Sequence, residues 1–119
     1  MRMRSDRRKS ARLVDSVDLE LGGEGFHLSS RTLNLSAHGL LCRMERQIPI
    51  MTRINVALEI PVSPKKNRKV RATAVVVRCQ YQKETGFFDI ALFFSEMPGS
   101  SREILKKYVD SKIKKVSHD

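Results

Sequence analysis

Arginine side chains near the N-terminus are the first residues whose types and spacing could do chemistry. Arg8 and Arg12 stand four positions apart, and Arg7 comes directly before them. A guanidinium group can donate two hydrogen bonds to O6 and N7 of guanine, and it pairs with phosphate in a bidentate geometry. In an extended chain the stems of Arg8 and Arg12 begin about 13 Å apart, at ~3.3 Å per residue. They could grip different parts of one dinucleotide, although basic arms also serve as solvated tails or nonspecific nucleic-acid contacts.

A second polar group follows at Asn34, Ser36 and Gly39. If Leu33 and Leu35 are buried, strand alternation places Asn34 and Ser36 side by side on the outer face. Their amide and hydroxyl groups together can satisfy the edge of a purine. Gly39 permits a backbone conformation with positive φ and leaves room for a close approach. An ordinary turn, with Asn and Ser making local hydrogen bonds, fits the same residues.

Groups for catalysis or metal binding are missing from the sequence. His27, His38 and His118 have no metal-ligand spacing with one another or with the cysteines. No nucleophile elbow, phosphate loop or glycine-rich dinucleotide fingerprint occurs. We therefore expect no enzyme activity, no metal and no cofactor. Cys42 and Cys79 stand within apolar runs and are expected to be small core residues in a reducing compartment.

Length and charge narrow the class of protein. The chain has 119 residues, which suits one domain, and 23 basic against 13 acidic side chains give a net charge of +10. This surplus attracts anions, and nucleotides, nucleic acid and anionic membranes all fit it. No apolar run is long enough to span a membrane or to form a signal peptide. We expect a cytoplasmic protein.

Apolar and polar residues alternate along most of the chain and predict six or so strands at short spacing. This pattern is typical of an antiparallel barrel or sandwich. Residues 63–68 are expected to form a polar connection between two of the strands. The alternating apolar positions are Val17, Leu19 and Leu21, then Leu33 and Leu35, then Ile54, Val56, Leu58 and Ile60, and finally Phe88, Ile90, Leu92 and Phe94.

The end of the chain has helical periodicity instead. Ser100 followed by Glu103 forms a capping box after Pro98 and predicts a helix start. The apolar residues of one helical face are Ile104, Leu105, Tyr108, Val109, Ile113 and Val116. The predicted fold is all-β with a C-terminal helix. We expect a flexible basic arm at residues 1–11, a β-barrel at residues 12–97, and an amphipathic helix at residues 98–119 packed on the barrel.

The two polar groups together resemble the PilZ domain family. R-x-x-x-R near the N-terminus is followed by N-x-S-x-x-G on an all-β pattern, and the resemblance spans nearly the whole chain. It implies a six-stranded antiparallel barrel that binds cyclic di-GMP, a bacterial second messenger. In such domains the arginines contact guanine and phosphate, and the Asn and Ser contact guanine. The implied ligand-binding residues are Arg7, Arg8, Arg12, Asn34, Ser36 and Gly39.

The resemblance also implies how the protein works. Arg7 stands where an arginine is associated with binding the ligand as a stacked dimer. We expect the arm to order on binding and the bound state to be sensed by an unidentified downstream protein.

Two alternatives are a small basic nucleic-acid-binding barrel of the OB type, and a PilZ scaffold acting only through protein contacts. We expect no nucleic acid, because OB barrels stack bases on exposed aromatic residues and none clusters here with the basic arm. A second basic cluster is expected to be a solvated hairpin tip, or a contact for an acidic partner. Its residues are Lys65, Lys66, Arg68, Lys69 and Arg71.

Overall fold

The alternating apolar residues of the chain line the inside of a closed, antiparallel barrel. The computed structural model describes residues 16–117. The strands are β1 (Asp18–Gly23), β2 (Phe26–Leu35), β3 (Gly39–Met44), β4 (Arg53–Ser63), β5 (Lys66–Gln82) and β6 (Phe87–Glu96), and the helix α1 (Gly99–Ser117) follows them. The predicted six-stranded barrel with a C-terminal helix is confirmed.

Pairing of the first strand with two others closes the barrel. β1 lies antiparallel to β2 on one side and to β4 on the other, where Leu19 is opposite Leu58. The order around the barrel is β1, β2, β3, β6, β5, β4. β6 therefore lies against β3, and Gly39 at the start of β3 is opposite Phe93. Residues far apart in the sequence meet beside the β2–β3 turn.

Aliphatic side chains from the strands fill the barrel. Leu21, Leu58, Val70 and Ile90 are completely buried. Burial of a large aliphatic side chain contributes about 1.5–3 kcal/mol, so this core is the main source of stability. The alternation predicted for β1 and β4 is confirmed at the expected positions. These buried residues are Val17, Leu19 and Leu21, and Ile54, Val56, Leu58 and Ile60.

Helix α1 starts two residues earlier than the capping box predicts, because an N-cap at Ser100 would make residue 101 the first helical residue. The helix begins at Gly99, and the Arg102 N–H donates to the Pro98 carbonyl at 3.0 Å. Ser100 therefore lies inside the first turn, and its prediction as the N-cap is wrong. Leu105 and its apolar neighbours are buried against β4 and β5. Within residues 16–117, no helix is long and apolar enough to cross a membrane.

The hairpin of β4 and β5 extends beyond the barrel wall. Residues 59–63 pair with residues 66–69, beyond the part of β4 that pairs with β1, which is residues 55–58. Residues 70–72 pair with residues 56–58, and residues 73–82 pair with β6. A two-residue turn at 64–65 joins them. The predicted connection at 63–68 is shorter than expected, because strand pairing continues into it. We call residues 59–72 the basic ribbon; its cations Lys65, Lys66, Arg68, Lys69 and Arg71 are exposed, as predicted.

Candidate functional site

One serine side chain shapes the turn between β2 and β3. The Ser36 Oγ accepts hydrogen bonds from the backbone N–H groups of His38 and Gly39, both at 3.2 Å. The Ser36 N–H donates to the Gly39 carbonyl at 2.9 Å. The relative exposure of Ser36 is 0%. Because a buried N–H group without a partner costs about 1–3 kcal/mol, these bonds fix the shape of the turn.

The prediction that Ser36 lies on the outer face is wrong. A register shift between Thr32 and Asn34 makes Leu33 the extra residue of a β-bulge. Alternation fails there, since Thr32 is buried and Leu33 and Asn34 are both half-buried. The expected burial of Leu35 is confirmed, but that of Leu33 is wrong. Ser36 lies past the end of β2, where the strand pleat no longer decides which way a side chain faces.

Gly39 stands where β3 and β6 approach closely. A Cβ atom at this position would lie 2.2 Å from the Leu92 carbonyl oxygen, so a larger residue requires the backbone to move. The group that approaches Gly39 closely in the structure is the backbone of β6. The expected positive φ is wrong, because Gly39 is not among the residues with positive φ. Glycine is required here for space and not for backbone conformation.

The chain reaches β1 at a fixed point beside β2. The Val17 N–H donates to the Thr32 Oγ1 at 3.0 Å, and the Thr32 N–H donates to the Val17 carbonyl at 3.0 Å. The Arg31 guanidinium donates to the side chain and the carbonyl of Ser16 at 2.8 and 3.0 Å. It also pairs with Asp18. Residue 16 is thus held on the strand that carries Asn34.

The predicted site residues fall into two sets. Arg7, Arg8 and Arg12 lie outside the described residues. Asn34, Ser36 and Gly39 all lie in the β2–β3 hairpin. Asn34 is the second-last residue of β2, Ser36 is in the connection, and Gly39 is the first residue of β3. The structure therefore brings together the polar half of the predicted site.

A cleft of about 650 Å³ lies along the same two strands, and Ser16 and Leu33 are among its lining residues. Its charged lining residues are Arg31, Arg43, Arg46 and Glu45. Arg31 and Arg43 are each paired with a carboxylate. The Arg43 Nε donates to an Asp89 carboxylate oxygen at 3.1 Å, which holds its position. Sequence reasoning did not select these two arginines, because no motif contains them. Another cleft, of about 700 Å³, lies on the wall of β1, β4 and β5. Asn34, Ser36 and Gly39 are not among the lining residues of either cleft.

Phe93 is a further candidate that sequence reasoning did not assign to the site. It lies opposite Gly39 of β3 and Val75 of β5, and its relative exposure is 49%. The next residue, Phe94, donates its N–H to the His38 carbonyl in the turn at 2.9 Å. An aromatic residue on the outward phase of a strand is the signal in the sequence. The strand pairing that brings it to the turn is not visible there.

Cys42 and His27 are further reactive side chains among the described residues. Burial raises the pKa of the Cys42 thiol to about 12, and Asp89 and Cys79 add smaller effects in the same direction. Such a thiol stays protonated and inert at neutral pH. His27 pairs with Glu20 at 3.1 Å on the surface. Among residues 16–117 no group of three or more His, Cys, Asp or Glu residues could hold a metal ion.

Three solved structures resemble this barrel. The Bacillus subtilis inhibitor of motility (MotI/DgrA) has a TM-score of 0.80 at 19% identity, covering 97% of this chain and 58% of that one. The PilZ domain of YcgR from Escherichia coli, solved with c-di-GMP, has a TM-score of 0.65 at 12% identity, covering 94% and 95%. The K. pneumonia MrkH–c-di-GMP complex has a TM-score of 0.68 at 11% identity, covering 94% and 55%. At these identities the likeness shows the fold alone.

The length covered differs among these structures. This chain spans little more than half of the MotI/DgrA and MrkH chains, and nearly all of the YcgR domain. No curated protein matches the sequence. The family model of the PilZ domain matches residues 6–111. Because that match spans most of the 119 residues, the chain belongs to the PilZ domain family.

Proposed function

We propose that this chain is a receptor for cyclic di-GMP that acts as an adaptor and not as an enzyme. The observation that carries the proposal is the fixed position of Ser16, four residues after Arg12 in the sequence, beside the strand that carries Asn34. The family match supports it, as do two solved structures of the same fold that contain c-di-GMP. The adaptor passes its ligand state to a downstream protein through contacts.

Chain geometry allows the two halves of the site to meet. Arg12 precedes Ser16 by four residues, so its Cα atom stays within about 13 Å of the anchor, at ~3.3 Å per residue. Arg8 stays within about 26 Å by the same measure. Asn34 lies two residues beyond Thr32, which is bonded to Val17. A dinucleotide held at Asn34 is therefore within reach of both motif arginines.

Each group has a distinct role in the proposed site. The arginines supply bidentate hydrogen bonds to guanine and charge for the phosphates. Asn34 hydrogen-bonds the guanine edge. Ser36 acts from within, by fixing the turn, and not as a hydroxyl on the outer face. Phe93 offers an apolar surface for a purine base, since stacking of a base on an aromatic ring contributes about 1–3 kcal/mol.

Arg7 extends the proposal to two ligands. One cyclic dinucleotide carries two phosphate charges, whereas a stacked pair carries four and calls for more cationic partners. Three arginines in the segment suit the pair better than the single molecule. Residues 1–11 contain few apolar residues, so we propose that they become ordered when the ligands neutralise their charge.

Isothermal titration tests the receptor function, with GTP and cyclic di-AMP as controls for charge and base. We expect a dissociation constant near the micromolar range, about 8 kcal/mol of binding free energy. Arg8→Ala and Arg12→Ala should each weaken binding about 10- to 100-fold, because a charge-assisted hydrogen bond contributes roughly 1.5–3 kcal/mol. Arg4→Ala is the matched control, because Arg4 lies outside the family match at residues 6–111. Unchanged affinity in both motif variants contradicts the proposal.

The stoichiometry of the same titration tests the stacked pair. We expect close to two ligands per chain, falling towards one in Arg7→Ala. Amide resonances of residues 1–11 should change from flexible to ordered values on saturation. A one-to-one isotherm at high ligand concentration, with those resonances unchanged, leaves a receptor for a single ligand.

A further inference from the structure

We propose that the basic ribbon is a second binding element, which enters the major groove of duplex DNA. This proposal goes beyond the cyclic di-GMP site and does not depend on it. The sequence-based expectation of no nucleic acid rested on the lack of exposed aromatic residues beside the basic arm. That argument concerns single strands, whose bases stack on aromatic rings, and does not apply to a duplex.

The basic ribbon projects from the barrel and is held at its base by buried side chains and a hydrogen bond to helix α1. Residues 59–63 and 66–69 pair only with each other among the described strands, and residues 70–72 pair with residues 56–58, next to β1 in the barrel wall. At the base, Ile60 and Val70 are completely buried. The Ser101 Oγ of helix α1 accepts a hydrogen bond from the Arg71 N–H at 3.3 Å. A two-stranded projection held in this way loses little conformational freedom when it binds.

The cations of the ribbon are distributed over both of its faces. Strand alternation places Lys66 and Arg68 on one face and Lys69 and Arg71 on the other. The ribbon contains one carboxylate, Glu59, whose oxygen lies 3.7 Å from the Lys69 Nζ. In the described part of the chain, none of the other ribbon cations has a carboxylate partner within ion-pair distance.

Because its cations lie on both faces, the ribbon suits a groove better than a flat anionic surface. A membrane or a flat acidic protein surface meets only one face of a ribbon, and the cations of the other face stay in water. The two walls of a DNA groove both carry phosphates, which cations on opposite faces can neutralise together. The major groove of B-form DNA is about 12 Å wide and admits a two-stranded β-ribbon.

The composition of the ribbon indicates which kind of nucleic acid it binds. Residues 59–72 include no aromatic side chain, so they lack the stacking surface that single strands require. The major groove of A-form RNA is too deep and narrow for protein side chains to read. Pro61 and Pro64 stiffen the tip, because proline fixes φ. These features together favour double-stranded DNA.

Fluorescence anisotropy with a labelled DNA duplex of about 20 base pairs tests the proposal, in the absence of cyclic di-GMP. The ribbon variant is Lys66→Ala with Arg68→Ala. The matched control is Arg78→Ala with Lys83→Ala, which removes one arginine and one lysine that are also exposed, from the other end of β5 and the turn after it. We expect the ribbon variant to bind about tenfold or more weakly at 100 mM salt, and the slope of log K against log salt to fall by about 1.8, which is ~0.9 for each lost phosphate contact. The control should change the affinity less than about threefold.

Several outcomes overturn the proposal. One is an equal loss in the control variant, and another is a wild-type protein that does not bind the duplex at 50 mM salt. A third is an RNA duplex of the same sequence that binds as tightly as the DNA. Displacement by netropsin, which occupies the minor groove, contradicts the groove assignment. Binding to phosphatidylglycerol vesicles or to polyglutamate with the same dependence on Lys66 and Arg68 assigns the ribbon to a flat anionic partner. Melting curves and cyclic di-GMP titrations of both variants show whether the barrel is intact, so a failure here is distinct from a failure of the receptor function.

Discussion

Two hairpins of the same barrel organise their polar residues in opposite ways. In the β2–β3 hairpin the turn is closed from within by a buried serine, and Arg31 and Arg43 are held by carboxylates. In the β4–β5 hairpin a two-residue turn ends a ribbon whose cations are exposed, and of these only Lys69 has a carboxylate partner among the described residues. The first arrangement is fixed before any ligand arrives, and preorganisation of this kind favours a defined small ligand. The second presents charge without fixed partners, which suits a polyanion.

Substitution of Gly39 is the most severe test of the rigid hairpin. Gly39→Ala should lower the free energy of unfolding by about 3 kcal/mol, because the new Cβ atom would lie 2.2 Å from the Leu92 carbonyl oxygen. Gly22→Ala is the matched control on β1, since nothing lies within 4 Å of a Cβ atom there. It should be neutral or raise stability by about 0.5 kcal/mol. Chemical denaturation measures both values, and equal effects of the two substitutions contradict the close approach.

Serines in the two hairpins give the next contrast. Ser36→Ala should cost about 1–3 kcal/mol, because it leaves the N–H groups of His38 and Gly39 without their acceptor. Ser63→Ala, at the exposed end of β4, should stay within about 0.5 kcal/mol. Both changes remove one hydroxyl next to a tight turn, so urea denaturation compares like with like. A Ser36 variant as stable as the wild type means that the turn does not need its serine.

The sequence predicted the strands and helix well, because each depends on a local period. Val17, Leu19 and Leu21 are buried as expected, and the helix starts within two residues of its predicted first residue. Ser36 was placed wrongly because the bulge at Leu33 interrupts the period. Bulges depend on the pairing of two strands, and a single strand's pattern does not contain that information.

Long-range pairing accounts for the rest of the candidate site. Asn34 and Gly39 were found because they are close in sequence. Glycine is required at position 39, however, because the Leu92 carbonyl oxygen leaves no room for a Cβ atom, and Leu92 lies on β6, far away in the sequence. Phe93 was not assigned to the site for the same reason, since only the β3–β6 register brings it to the turn. Arg31 is important because it binds Ser16, and no sequence motif marks that contact.

One cysteine on each hairpin offers a test by pH. The pKa of Cys42 on β3 is raised to about 12 by burial, whereas an unfolded thiol has the model value of 9.0. The protonated thiol therefore contributes stability that is fully present below pH 9.0 and is lost as the pH rises towards about 12. Relative to Cys42→Val, the wild type should lose about 1.4 kcal/mol for each pH unit in that window. Parallel stability curves for the two proteins between pH 7 and 11 contradict the burial effect.

Half-buried Cys79 on β5 should react first with a thiol reagent, and Cys42 only on unfolding.

Arginine substitutions give the smallest expected effects and compare the charges of the two hairpins directly. Arg43→Ala should cost about 1 kcal/mol, because its Nε donates to Asp89 at 3.1 Å in a partly exposed pair that water screens only in part. Arg68→Ala should stay within about 0.5 kcal/mol, since Arg68 is exposed and has no carboxylate partner among residues 16–117. Raising the salt concentration to 1 M should shrink the Arg43 effect, because salt screens exposed charges over ~3 Å at that strength. Urea denaturation at low and high salt measures the difference. If Arg68 proves as important for stability as Arg43, the ribbon is held together by its charges and is not a surface kept free for a polyanion.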